Sequence, residues 1–408
     1  MKKRLLRNYA ELLVKMGVNV QKGQELTVHA SIDQAPLVIE VVKWGYKVGA
    51  KKVNVEWGCQ ELSKLHYKYR SLETLSTIEN WELEKMKHRV EVMPARIHIV
   101  SDDPDGLKGV DQKKIADSRR ITYPIIKPII DQVENKEQWC IAGAAGEKWA
   151  KKVFPNLSKA KAIEALWDAI FVAARVHGDP IKNWEEHNNN LTTRSDYLNS
   201  LNIKELKYTS SNGTNFTVGL MERSIFVGGC EKALGSEIIF NPNIPSEEIF
   251  VTPKKGLAEG VVYSAKPLSY QGQLIENFSI RFENGKAVEV HAEKGEELLQ
   301  EMISMDENAS YLGEVALIAY DSPINNTGLL FYETLYDENA SCHLALGRGY
   351  ANCVRDYDQF TNEELEEMGV NNSMIHVDFM IGSKDLNIVG ITKDNQEVQI
   401  FKDGNWAF

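Results

Sequence analysis

The 408-residue sequence holds no Cys-x-x-Cys pair. Its five cysteines, Cys59, Cys140, Cys230, Cys342 and Cys353, are odd in number and widely spaced. That argues against a disulfide framework and a thiolate zinc site, and it suits a reducing cytosol. No Gly-x-Gly-x-x-Gly turn and no Walker-type loop follows a predicted strand, which weighs against a nucleotide site. No apolar run approaches the ~18 residues of a membrane span. The N-terminus opens with the basic residues of a signal peptide, but Arg7, Asn8 and Glu11 interrupt the apolar core such a peptide needs. Positive charge is also short. Against 58 Asp and Glu stand 47 Lys and Arg, a formal net charge of -11. Such a chain has no broad attraction to phosphate backbones, so nucleic acid is not an expected partner. The expectation is a cytoplasmic protein without a membrane partner. Neither low-complexity segments nor solenoid repeats are present.

What the chain does contain is enough apolar sequence for more than one core, at 43% hydrophobic residues. Residues 1–190 read as alternating helices and strands. An opening helix carries Leu5, Tyr9, Leu12, Leu13 and Met16, with Gly17 placed to end it. Strands are predicted at 24–30, 52–57, 95–100 and 139–143, and helices from Asp33 to near Gly45 and Gly49, over 72–90, and from Asp111 past Pro124 in broken form. A strong helix over 159–176 has Ser158 placed as its cap. This order predicts an α/β domain with a mostly parallel sheet. From 191 to 408 the chain turns β-rich. Asn212-Gly213 and Asn284-Gly285 mark hairpin turns, and one helix is predicted near 295–304. The expected organisation is therefore α/β: an N-terminal domain, 1–190, and a mixed, β-rich C-terminal domain, 191–408, that carries the chemistry.

The chemistry-bearing residues lie in that second part. His376 and Asp378 are two apart in a predicted strand, so both project to one face, with Val377 turned into the core. Phe379, Met380 and Ile381 follow, and an unpaired Asp beside a buried strand end is costly. Glu314 lies at the mouth of the apolar run Val315–Ala319, where an acid is expected to be paired or metal-bound. Glu338 and His343 sit in the stretch Tyr336–Tyr350, whose residues 337–340 read as a loop, and Cys342 beside them reads as a small buried residue. Glu248 follows Pro245-Ser246-Glu247, where Glu247 reads as a turn or helix cap. Each of these also reads, singly, as a satisfied polar side chain. As a set they offer four carboxylates and two imidazoles. That composition suits two borderline divalent ions better than one structural zinc, which favours cysteine.

These motifs resemble the aminopeptidase T / aminopeptidase S family of bacterial metallo-aminopeptidases. The resemblance rests on Asn243–Pro253, Gly313-Glu314-Val315-Ala316, Asp337–Gly347 and His376-Val377-Asp378. It extends to Tyr9–Leu13 and Gly17–Gly23, and so covers essentially the whole chain. The stretches Gly143–Gly146 and Asn215-Phe216 fit the family pattern less well. The resemblance implies two divalent metal ions per chain held by Glu248, Glu314, Glu338, His343, His376 and Asp378. Zinc, cobalt, manganese and magnesium all fit such donors. It implies that Tyr350 assists catalysis at the tetrahedral intermediate. It also implies a homodimer, and the release of N-terminal residues from peptides with a free N-terminus. Glu314 is the first choice for a bridging carboxylate, with the general base left open. Two other readings stand beside this one: another two-metal hydrolase, such as a phosphoesterase, and a catalytically silent metal- or peptide-binding protein.

Overall fold

The computed structural model describes residues 3–408, which divide into two compact units. Among the described residues the first comprises 3–185 and 230–245, and the second 186–229 and 246–408.

The first unit is built on a parallel sheet. Its strands are β1 (Glu25–Ser31), β2 (Lys52–Gly58), β3 (Ala95–Val100) and β4 (Trp139–Gly143). The short strand Asn243–Ile244 pairs with β4, giving the order 243–244, β4, β3, β1, β2. Alternation gives each strand two faces. On one, Leu26, Val28 and Ala30 lie opposite Ala95, Ile97 and Ile99, all buried. On the other, His29 lies between Glu56 of β2 and His98 of β3.

Helix α1 (Lys3–Leu12) buries Leu5, Leu6, Tyr9 and Leu12 and runs into a π-helical turn, Leu13–Gly17. The Tyr9 hydroxyl donates to the Gly143 carbonyl at 3.0 Å, and its ring meets Trp167 and Phe171 edge-on. Helix α2 (Ala35–Val48) runs through Gly45 rather than stopping there, and ends at Gly49, whose φ is +103°. A Cβ at Gly45 would lie 3.0 Å from Leu26 Cδ2, so glycine permits close approach of helix to strand.

The 72–90 prediction needs correcting. An additional helix, α3 (Gln60–Tyr69), precedes α4 (Leu72–Ser76) and α5 (Asn80–Val92). The break at Thr77–Glu79 follows from capping: the Glu79 and Glu82 side chains form a reciprocal capping box that starts α5 afresh. Helix α6 (Gln112–Ile130) is continuous through Pro124 and Pro128, not broken. On a helix largely outside the core, water can satisfy the carbonyls whose amide partners a proline removes. Ser158 does precede the helix Lys159–Ala173, but its hydroxyl makes no capping bond.

The second unit pairs two antiparallel sheets. The larger has nine strands, among them Ile203–Thr209, Asn215–Leu220, Pro253–Tyr263, Gln273–Glu283 and Asn387–Thr392. The smaller runs in the order β9, β8, β7, β6, β5, where β5 is Val227–Gly228, β6 Ile249–Val251, β7 Leu312–Leu317, β8 His343–Gly347 and β9 His376–Met380. One hydrophobic core joins them. Tyr208, Phe216, Val218, Ile280, Phe282 and Ile388 from the larger sheet meet Ile249, Val251, Val315, Leu317, Leu344, Leu346, Val377 and Phe379 from the smaller. Each such side chain, fully buried, stabilises the fold by roughly 1.5–3 kcal/mol.

Candidate metal centre

The residues of the smaller sheet that do not face this core build the site. Because side chains alternate, burying Ile249, Val315, Leu317, Leu344, Leu346, Val377 and Phe379 turns their neighbours to the opposite face. Glu314 of β7 lies opposite Ala345 of β8, which lies opposite Asp378 of β9. Ala316 pairs with His343, and Gly347 with His376. Three neighbouring strands thus raise carboxylates and imidazoles from one face, over a floor of Ala316, Ala345 and Gly347. Glu248 joins from the residue before β6.

The loop expected at 337–340 is instead helical, the turn Thr334–Asp337 followed by a 3₁₀ turn, Glu338–Ala340. Asp337 fixes it: its carboxylate accepts the Phe331 N–H at 2.7 Å and the Glu333 N–H at 3.2 Å. Helical winding is what brings Glu338 to the cluster.

All six predicted ligands converge. His343 Nε2 lies 3.5 Å from Glu248, 3.9 Å from Glu314 and 3.8 Å from Asp378. His376 Nε2 lies 3.1 Å from Glu314 and 3.2 Å from Asp378. Glu338 shares a hydrogen bond with Asp378. Two groups of metal-ligand geometry result, Glu248–Glu314–His343 and Glu314–His376–Asp378, with Glu314 common to both. The Tyr350 hydroxyl is 3.2 Å from His376 Nε2, although 37% of that residue is solvent exposed.

The imidazole hydrogen bonds fix the tautomers. His343 Nδ1 faces the Glu338 carbonyl at 3.0 Å, and His376 Nδ1 faces the Arg348 carbonyl at 2.7 Å. A carbonyl only accepts, so each Nδ1 carries a proton and donates. In the neutral ring, the form that ligates a metal, each Nε2 then presents its lone pair to the carboxylates. Two lone pairs and four acids on one buried spot repel unless a cation or protons lie between them. Asp378 Oδ1, screened from solvent, receives no well-aligned hydrogen bond. An imidazole whose outer N–H is anchored to a backbone carbonyl is the arrangement that orients histidine for metal. The residues therefore fit a divalent ion.

Protonation tells the same story. Burial raises the Glu338 pKa well above the usual range, and Asp378, Glu248 and Glu314 add to the rise. His376 is also raised: burial opposes its charge, but Asp378 and Glu314 outweigh it. Asp378 stays low, at about 2, because His376 overcomes the cost of burial. Although the residue is partly exposed, desolvation of the Tyr350 hydroxyl beside the cluster, with the surrounding carboxylates, pushes its pKa up, so it keeps its proton and remains a donor.

The backbone that carries the Tyr350 loop depends on two glycines. Gly347 has φ +100°, and a Cβ there would lie 2.1 Å from the Ile375 carbonyl oxygen. A Cβ at Gly313 would meet the Arg348 carbonyl oxygen, also at 2.1 Å. Glu247 caps no helix. Its backbone N–H donates to Asn339 Oδ1 at 2.7 Å, and its carboxylate lies 4.0 Å from His187 Nε2. Sequence reasoning missed Asn339. This fully buried amide also donates to the Leu335 carbonyl at 2.9 Å and to Glu338 at 3.3 Å, tying the 338 turn to the segment bearing Glu248. No local period marks it, because its decisive partner, the Glu247 N–H, is distant in sequence. Cys342 is buried as expected, and burial raises its thiol pKa to about 12.

Known proteins share this architecture. Aminopeptidase AmpS of Bacillus subtilis (strain 168) is 45% identical over 406 residues, covering 99% of this chain and 98% of the relative. Aminopeptidase 2 of Geobacillus stearothermophilus is 41% identical over 405 residues, covering 99% and 98%. The solved structure of wild-type AmpT from Thermus thermophilus superposes with a TM-score of 0.91 at 36% identity, over 100% of both chains. A family model for the thermophilic metalloproteases (M29) matches residues 2–406. With that match over nearly every residue, and with its motifs folded into one buried donor set, the chain belongs to the thermophilic metalloprotease (M29) family.

Proposed function

We propose that Glu248, Glu314, Glu338, His343, His376 and Asp378 hold two divalent metal ions in an aminopeptidase that releases N-terminal residues from peptides with a free N-terminus. The carrying observation is the convergence of two imidazole Nε2 atoms, each with its Nδ1–H anchored to a backbone carbonyl, on four carboxylates. The names of the full-length relatives support the reaction. Glu314, common to both ligand groups, is the residue that would hold ions on either side. Imidazole and carboxylate donors suit zinc, cobalt, manganese or magnesium. When bound, such ions supply a Lewis acid for the peptide carbonyl and lower the pKa of a bound water.

The chain's own residues do the rest. The phenol of Tyr350, kept protonated by desolvation of its hydroxyl and the nearby carboxylates, donates to the oxygen on which negative charge develops. A carboxylate of the cluster takes the proton of the attacking water and returns it to the leaving nitrogen. The same acids offer a counter-charge to the substrate's α-ammonium group, which favours cleavage at the N-terminal bond. The protein works as a homodimer in the cytoplasm, a compartment in keeping with five free cysteines.

The test is hydrolysis of a panel of aminoacyl chromogenic amides by chelator-treated protein, with and without added divalent ions. Activity lost with chelator and restored by metal is expected. Inactivity under every ion, with two ions bound per chain, would sink the reading.

A further inference from the structure

Tyr350 can act as a donor only if its phenol is already in place when charge develops, since preorganisation is what gives such a group its value. It sits on a partly exposed stretch after Gly347-Arg348-Gly349, so something must hold it. One side chain does. Thr252 is fully buried, four residues after Glu248, at the end of β6. Its Oγ1 accepts the Tyr350 N–H at 2.8 Å and donates to the Tyr350 carbonyl at 3.1 Å. A single hydroxyl thus closes on both backbone polar groups of one residue. The Thr252 methyl is fixed as well: a Cβ on Gly349 would lie 2.7 Å from Thr252 Cγ2, so the two pack with no room between them. Two residues back, the Phe250 ring meets the Tyr350 ring edge-on, with centroids 5.6 Å apart. The segment that supplies Glu248 therefore also sets where the phenol stands.

We propose that Thr252 is a positioning residue for Tyr350, its hydroxyl locking the Tyr350 backbone so that the phenol is held at the metal cluster in register with Glu248. This rests on the reading of Tyr350 as the oxyanion donor. Displacement of a catalytic group by about 1 Å can cost up to ~100-fold in rate, and loss of the hydroxyl also leaves a buried N–H without its acceptor.

The test compares Thr252→Val, which keeps the volume and loses the hydroxyl, with Thr252→Ser, which keeps the hydroxyl. Both are assayed as metal-loaded full-length protein. Thr252→Val is expected to lower kcat by ~10- to 100-fold with KM and metal stoichiometry unchanged, and Thr252→Ser to restore most of it. Hydrogen exchange at the Tyr350 amide should quicken in the valine variant and not in the serine variant. In a Tyr350→Phe background, Thr252→Val should cost nothing further, because the two act through one group. If the valine variant does not fold, Thr252→Ala takes its place in every arm. Full activity in the hydroxyl-less variant while Tyr350→Phe is impaired would overturn the proposal. So would a loss that persists undiminished in the Tyr350→Phe background. Full activity of Tyr350→Phe alone would instead overturn the donor role itself.

Discussion

Each unit carries a sheet face where histidine and glutamate lie on neighbouring strands, yet the two faces are chemically opposite. In the first unit His29 lies beside Glu56, its Nδ1 3.2 Å from that carboxylate and its Nε2 3.3 Å from Arg96. Arginine only donates, so Nε2 accepts, Nδ1 carries the proton, and the ring is neutral. Burial holds its pKa at about 4, against the pull of Glu56. Each acid there meets a cation of the protein: Glu56 meets Lys85 at 2.8 Å, Glu25 meets Lys51 at 3.4 Å, and Glu137 meets Arg96 at 3.2 Å and Arg89 as well. In the second unit the contacts run from imidazole to acid: His343 lies beside Glu248, Glu314 and Asp378, and His376 beside Glu314 and Asp378. Residue type and strand register are alike. What separates a charge-balanced wall from a ligand set is whether the acids face lysine and arginine, which stay charged, or imidazoles, which can give up a proton to a metal.

Substitutions test that contrast most sharply. Glu314→Ala or His376→Ala should lower activity by more than about 100-fold, beyond the usual effect of removing an outer-shell partner, and should lose bound metal by elemental analysis. Glu56→Gln should leave both unchanged. Metal released by Glu56→Gln would collapse the distinction. Asn339→Ala, which unties the Glu338 turn without touching a ligand, should weaken metal affinity by ~10- to 100-fold in competition titrations with a chromogenic chelator.

Stability should follow charge balance too. Glu338 is raised from 4.5 and His376 from 6.5. For both, the metal-free native state binds more protons than the unfolded chain above those ordinary values. Stability of the chelated protein should therefore fall as pH rises past those ordinary values, 4.5 and then 6.5, read as a declining melting temperature that added metal flattens. A flat profile for chelated protein would contradict the uncompensated cluster. The smallest effect belongs to the first unit. His29 is depressed from 6.5 to about 4, so its contribution is complete above 6.5 and is lost as pH falls toward 4. His29→Gln should remove a small part of the acid-side decline in melting temperature, without altering activity near neutrality.

Much of this was legible in the sequence, and the physics explains which part. The ligand strands alternate cleanly, so His376-Val377-Asp378 declares its own two faces, and Glu314 stands out against an apolar run. The helical presentation of Glu338 was hidden because it depends on Asp337 capturing amides of Phe331 and Glu333. The return of Asn243–Ile244 to the parallel sheet is a pairing across about 100 residues of chain, which no local period reveals. Asn339 and Thr252 act through backbone groups distant in sequence, so neither belongs to a spacing motif. Helices α3 to α5 were blurred because no α3 or α5 residue is buried, leaving no strong apolar stripe to read.

The floor beneath the cluster carries a lesson about family membership. Ala345, fully buried, lies between Glu314 and Asp378 on adjacent strands. A valine there would change no ligand, charge or hydropathy pattern, yet two added methyl groups would occupy the volume between those two acids. A descendant with that one change would still display every signature by which its kin are recognised, yet is expected to bind less metal by elemental analysis. For such chains ancestry and competence part company at an alanine, and inventories of catalytic residues alone will miscount the working enzymes.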